Sequence, residues 1–179
     1  AGSGIGAATA RRFAEEGAAV VLAGRRRAKQ DEGAGGTDPA RTLVQETDVA
    51  DMASSDALIA AAVVRFGRID VLVNNAGIAP VPPSLLAVTA DLFDKTIAVN
   101  LKGPLRLTAL AAEHMPAGGS VINISSKASL HPSSFTVVYA AAKAGLNALT
   151  RASANEFGPR GIRVNAIVCG TFHTDSLHA

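Results

Sequence analysis

Apolar and polar positions follow two distinct rhythms along this chain. Short runs rich in β-branched residues predict strands over 19–23, 41–45, 71–74, 120–124 and 163–168, because branched side chains suit an extended backbone. Between them, apolar residues recur at helical spacing and predict helices over 5–16, 52–66, 90–115 and 137–157. The third of these is expected to break near Gly103-Pro104, since proline lacks the N–H that an inner helical turn requires. Strand and helix alternate, which is the pattern of βαβ units and a parallel sheet. The strands are almost continuously apolar and therefore read as buried on both faces. The expected fold class is α/β, a doubly wound parallel sheet in three αβα layers. Gly33 to Pro39 reads as a loop-like insertion in this otherwise periodic sequence, and no internal repeat is visible.

Composition narrows the picture. The 179 residues are 48% hydrophobic and 18% charged, which is too apolar for a disordered segment and suits one domain, 1–179, with a buried core. The formal charge is only +2, with basic residues scattered apart from Arg25-Arg26-Arg27, so no nucleic-acid partner is expected. No apolar run approaches the roughly 20 residues of a membrane helix, so no membrane partner is expected either. The chain opens without a basic and apolar leader, and a cytoplasmic location follows as the expectation. The single cysteine, Cys169, rules out an intrachain disulfide and reads as a small buried apolar residue. His131, His173 and His178 read as solvated loop residues, and no metal-ligand spacing connects them.

Candidate chemistry lies in three places. Gly2-Ser3-Gly4-Ile5-Gly6 precedes a helix and would leave room for a phosphate-bearing ligand against unpaired backbone N–H groups, although glycine clusters also make ordinary turns. Tyr139 and Lys143 stand four apart on a helical segment, so their side chains share one face. A tyrosine with a pKa of about 10 is a poor base, and a neighbouring ammonium favours its phenolate. Ser126 lies thirteen positions before Tyr139 at the end of a strand, where open α/β sheets place their ligand crevice. Ser125 competes with it, but alternation sends adjacent side chains to opposite sides.

These pieces occur in order: Gly4-Ile5-Gly6, Asp48-Val49, Asn74-Asn75-Ala76-Gly77, Asn100, Ser126, Tyr139-x-x-x-Lys143 and Arg163-Val164-Asn165-Ala166. Together they resemble the short-chain dehydrogenase/reductase family in its compact, Rossmann-like, single-domain form. The resemblance implies an NAD(P)-dependent oxidoreductase that interconverts a secondary alcohol and a ketone. Tyr139 would be the general acid/base, Ser126 would bind the reacting oxygen, and Lys143 would hold the nicotinamide ribose. Asn100 resembles the asparagine that kinks a helix and holds a water leading to the lysine. The alternative is a catalytically silent nucleotide-binding or regulatory protein of the same fold, against which the intact Ser126, Tyr139 and Lys143 argue.

The resemblance extends to the cofactor. Ser3, Gly4, Ile5 and Gly6 match the later part of the family's glycine turn. Asp48 and Val49 resemble the adenine-contacting pair, although Asp48 also reads as a loop cap. Asn75, Ala76 and Gly77 resemble the segment beside the adenine ribose, and Thr174 resembles the threonine that holds the carboxamide. Gly24 stands where an acidic residue would select NAD, and Arg25 and Arg26 follow. NADP is therefore the preferred cofactor and NAD the alternative, while Arg25 to Arg27 also read as a solvated helix start. A small-molecule alcohol or carbonyl substrate and a homotetramer or homodimer are implied. Against the family pattern the chain lacks the strand before the glycine turn and the elements after Thr174. A sheet with a central gap, belonging to a longer enzyme, is thus expected.

Overall fold

A computed structural model describes residues 2–172. Among the described residues five strands form: β1 (Val20–Gly24), β2 (Thr42–Glu46), β3 (Val71–Asn74), β4 (Ser120–Ser126) and β5 (Arg163–Cys169). Six α-helices accompany them: α1 (Gly4–Glu15), α2 (Arg27–Ala34), α3 (Met52–Phe66), α4 (Ala90–Ile97), α5 (Gly103–Ala112) and α6 (Val137–Phe157). The ends of α3 show how locally these limits are set. Asp51 accepts a hydrogen bond from the N–H of Ala53, and Gly67 closes the helix at φ 80°, a conformation that favours glycine.

The strands pair in parallel as two sheets, β1-β2 and β3-β4-β5. Val20 lies opposite Thr42 in the first. In the second, Asn74 faces Asn123 and Ser126 faces Cys169. The gap expected in the sheet is present: β1 and β3 do not pair, and both edges line one cavity of about 1580 Å³. Parallel pairing brings the carboxyl ends of the strands in each sheet to one side, where Gly24, Asn74, Ser126 and Cys169 open onto that cavity.

Helices α1 and α2 pack on each other and on the first sheet, while α3, α5 and α6 pack side by side, α5 on β3 and α6 on β4 and β5. The main core joins Leu58 and Ile59 of α3, Leu107 and Ala111 of α5, Val121 of β4 and Phe157 of α6. Burial on both faces, expected for every strand, holds best for β4. Ile167 and Val168 of β5 are 52% and 42% exposed, and among the described residues the helix packed on β5 is α6.

Two segments depart from the pattern read in the sequence. Arg27–Ala34 is a helix, so the loop expected from Gly33 begins two residues later. Its buried positions are Gln30 and Gly33, which leaves no apolar stripe to reveal it. The helix expected over 90–115 is divided, with a π-helical segment, Ala98–Lys102, joining α4 to α5. Pro104 stands at the start of α5, immediately after the π segment, and Asn100 lies inside that segment.

Candidate active site

Helix α6 carries Tyr139 and Lys143 on the face toward β4. Lys143 is 3% exposed, and its ammonium donates to the carbonyl oxygen of Ile124 at 2.7 Å. The same nitrogen stands 5.7 Å from the centroid of the Tyr139 ring. Burial lowers the Lys143 pKa from its ordinary 10.5 to about 8, against the opposing pull of the Cys169 thiol. Ser126, at the carboxyl end of β4, is half-buried, and its Oγ accepts from the N–H of Ala128 at 3.2 Å. That bond leaves the hydroxyl proton free to be donated. Ser125 is 2% exposed and its hydroxyl has no hydrogen-bond partner. Both serines line the cavity, as do Tyr139 and Lys143.

Asn100 is fully buried. Its Nδ2 donates to the carbonyls of Ile78 and Thr96, at 2.8 and 2.9 Å, and its Oδ1 accepts from the N–H of Ile78 at 3.3 Å. The side chain thus clamps the turn after β3 onto the π segment through backbone groups. Gly77 lies inside that clamp. A Cβ added there would stand 2.9 Å from Asn100 Oδ1 and 3.7 Å from Lys143 Nζ, so the glycine permits the close approach of three elements.

At the other end of the cavity, Ser3 precedes α1 in extended conformation and makes no side-chain cap. Gly4 follows at φ 55°. The first-turn N–H groups of α1 therefore face the cavity without a side-chain acceptor, and the first turn holds no acidic residue. Arg25 lines the cavity just past β1. Asp48 lines it too, and its Oδ1 accepts from the N–H of Ala50 at 3.0 Å, so it caps its own loop. Val49, Asn75, Ala76 and Gly77 complete this wall. A glycine turn at a positive helix end, a cation at the strand edge and a cavity reaching Tyr139 fit an extended dinucleotide.

The structure thus brings Ser3, Gly4, Ile5, Gly6 and Arg25 to the same cavity as Ser126, Tyr139 and Lys143. Arg26 is exposed at the start of α2 and is not among the residues lining it, and Asn100 acts from behind the wall. Thr174, His173 and His178 lie outside the described residues; His131 is exposed. Among the described residues no group of three or more His, Cys, Asp or Glu side chains could hold a metal ion, and no helix is long and apolar enough to cross a membrane. Sequence reasoning missed a buried amide relay beneath the site. Asn74 Nδ2 donates to Asn123 Oδ1 at 2.8 Å and to Thr108 Oγ1 at 3.1 Å, and Asn123 Nδ2 donates to Thr150 Oγ1 at 2.9 Å. The available signal was Asn123 itself, an amide in the middle of a strand run where such residues are depleted.

The fold is that of an α/β protein with parallel sheets and a cavity at the carboxyl ends of its strands. Residues 1–179 match the family model for short chain dehydrogenase. The chain belongs to that family. It is 40% identical to L-rhamnose 1-dehydrogenase (NAD(P)(+)) of Azotobacter vinelandii, an alignment spanning 98% of this chain and 72% of that protein. It is likewise 40% identical to cis-4-hydroxycyclohexanecarboxylate dehydrogenase of Sinomonas cyclohexanicum, over 95% of this chain and 70% of that one. Among solved structures, 3-ketoacyl-(acyl-carrier-protein) reductase of Brucella melitensis, complexed with NADH, superposes with a TM-score of 0.92 at 32% identity, covering 99% of this chain and 75% of that chain. The chain is an NAD(P)-dependent oxidoreductase acting on CH–OH groups.

Proposed function

We propose that this single NAD(P)-binding domain interconverts a secondary alcohol and a ketone, with Tyr139 as general acid/base. The observation that carries the reading is the buried Lys143 ammonium 5.7 Å from the Tyr139 ring centroid, in a cavity shared with Ser126. A bound nicotinamide dinucleotide supplies or accepts the hydride. Ser126 donates a hydrogen bond from its free hydroxyl to the substrate oxygen and orients it, keeping its own proton. Tyr139 gives a proton to that oxygen in reduction and takes it back in oxidation. Lys143 keeps a positive charge beside the phenol and offers its remaining donors to a ribose hydroxyl. Asn100 holds the turn at Gly77 so that this wall keeps its shape.

NADP is the preferred cofactor in this reading and NAD the alternative. The cavity-lining guanidinium of Arg25 supports it, since a bidentate cation suits a 2′-phosphate and the preceding Gly24 offers no carboxylate to repel one. Assembly into a homodimer or homotetramer through the helices of residues 100–115 and 137–157 belongs to the same reading, as the family resemblance implies. The test of the function is initial-rate measurement with NADPH and NADH on a panel of ketones and secondary alcohols. Turnover with a higher kcat/KM for NADPH is expected; absence of turnover with either cofactor rejects the reading.

A further inference from the structure

Helix α6 grips the end of β4 at more than one point. Lys143 holds the carbonyl of Ile124. One turn further along α6, Asn147 Nδ2 donates to Ser129 Oγ at 2.8 Å, and Ser129 Oγ donates to the carbonyl of Ser126 at 2.6 Å. Asn147 stands eight residues after Tyr139 and four after Lys143, so all three lie near one helical face. The direction of the relay is determined by its first donor. Because Asn147 fills an acceptor site on Ser129, the Ser129 proton is turned toward Ser126.

Three further features separate this relay from ordinary packing. The β4-β5 ladder ends at the Ser126–Cys169 pair, so the Ser126 carbonyl stands at its last rung, with no further strand pairing beyond it. The Ser126 side chain is engaged with the N–H of Ala128 within the same turn, so moving the turn moves the hydroxyl. Asn147 also carries a cost, since its Oδ1 is buried and unpartnered and asparagine is a poor helix-interior residue. An apolar side chain at 147 would avoid that cost but could not orient Ser129.

We propose that Asn147 and Ser129 are positioning residues, which set Ser126 against Tyr139 by tying the Ser126 carbonyl to the helix that bears the tyrosine. This inference rests on the proposed roles of Ser126 and Tyr139. A loss of the relay lets the Ser126 hydroxyl move relative to Tyr139 while the cofactor wall, on β1 and β3, is untouched.

The test uses a ketone that the unsubstituted protein reduces with NADPH. Asn147→Leu and Ser129→Ala should each lower kcat roughly fivefold to tenfold, the worth of one hydrogen bond, with KM for NADPH within about twofold. The double variant should lose no more than the worse single one, because both break one relay. In a Ser126→Ala background, Asn147→Leu should change kcat by less than about twofold, since the group it positions is gone. An undiminished loss in that background, or additive losses in the double variant, overturns the inference and leaves the function standing. Asn147→Asp guards against misfolding of the leucine variant. A carboxylate accepts from Ser129 and withdraws its proton from Ser126, so the same loss is expected, and full activity overturns the inference. Absence of turnover by the unsubstituted protein rejects the proposed function and this inference with it.

Discussion

The ammonium of Lys143 donates to the backbone carbonyl of Ile124 at 2.7 Å from a position almost closed to solvent. One carbonyl does not replace the water removed from that charge, and burial therefore lowers the lysine pKa from 10.5 to about 8. Between these values the unfolded chain binds the proton and the folded protein does not. Stability toward unfolding should consequently rise with pH across that window, by about 3 kcal/mol in all. Urea unfolding between pH 7 and 10.5 measures this, and Lys143→Met should abolish the lysine's share of the rise.

Tyr139→Phe removes the hydroxyl but keeps the ring beside Lys143. A positioned general acid/base contributes roughly 10²–10⁴ in rate, so kcat should fall by that order. NADPH affinity, followed by cofactor fluorescence, should hold within about twofold. An unchanged rate excludes Tyr139 as the proton donor.

Arg25→Glu replaces the cavity-lining cation with a carboxylate at an exposed position. A charge-assisted contact to a 2′-phosphate is worth roughly 1.5–3 kcal/mol, so the NADPH/NADH ratio of kcat/KM should fall about 10-fold to 100-fold. A ratio that does not move places the phosphate away from Arg25.

Gly77→Ala introduces a methyl group 2.9 Å from Asn100 Oδ1. Three hydrogen bonds hold that amide in place, so it cannot swing aside cheaply. The variant should lose roughly 1–3 kcal/mol of stability, the usual cost of overpacking. Its activity should fall too, because displacing the Asn100 amide disturbs the cavity wall it holds. Denaturant midpoints together with initial rates check both effects.

Gln30 presents the opposite case. It is 1% exposed on α2, and neither its Oε1 nor its Nε2 has a partner. Gln30→Leu keeps a similar volume and removes two orphaned polar atoms, so the protein should gain roughly 1–3 kcal/mol. Equilibrium unfolding of the two proteins gives the difference directly.

Much of this molecule was legible one residue at a time. The limits of α3 follow from Asp51 and Gly67, and the Tyr139–Lys143 pairing follows from helical spacing, because caps and periodicities act over a few neighbouring residues. Asn100 and Gly77 were recognisable as motif residues, but their mutual approach was not, since it joins the turn after β3 to a π segment about twenty positions away. Helix α2 was legible only as the solvated start read at Arg25 to Arg27, because its inward residues are Gln30 and Gly33, which carry no hydrophobic period. The sequence by itself determined the order of the strands, the glycine turn and the tyrosine–lysine–serine set. Only the tertiary structure decided that Lys143 is buried against Ile124, that Asn123 joins Asn74 to Thr150, and that Asn147 reaches Ser126 through Ser129. The reason is physical: such contacts depend on which faces of distant segments meet, and residue order specifies those faces only through the packing of the whole chain.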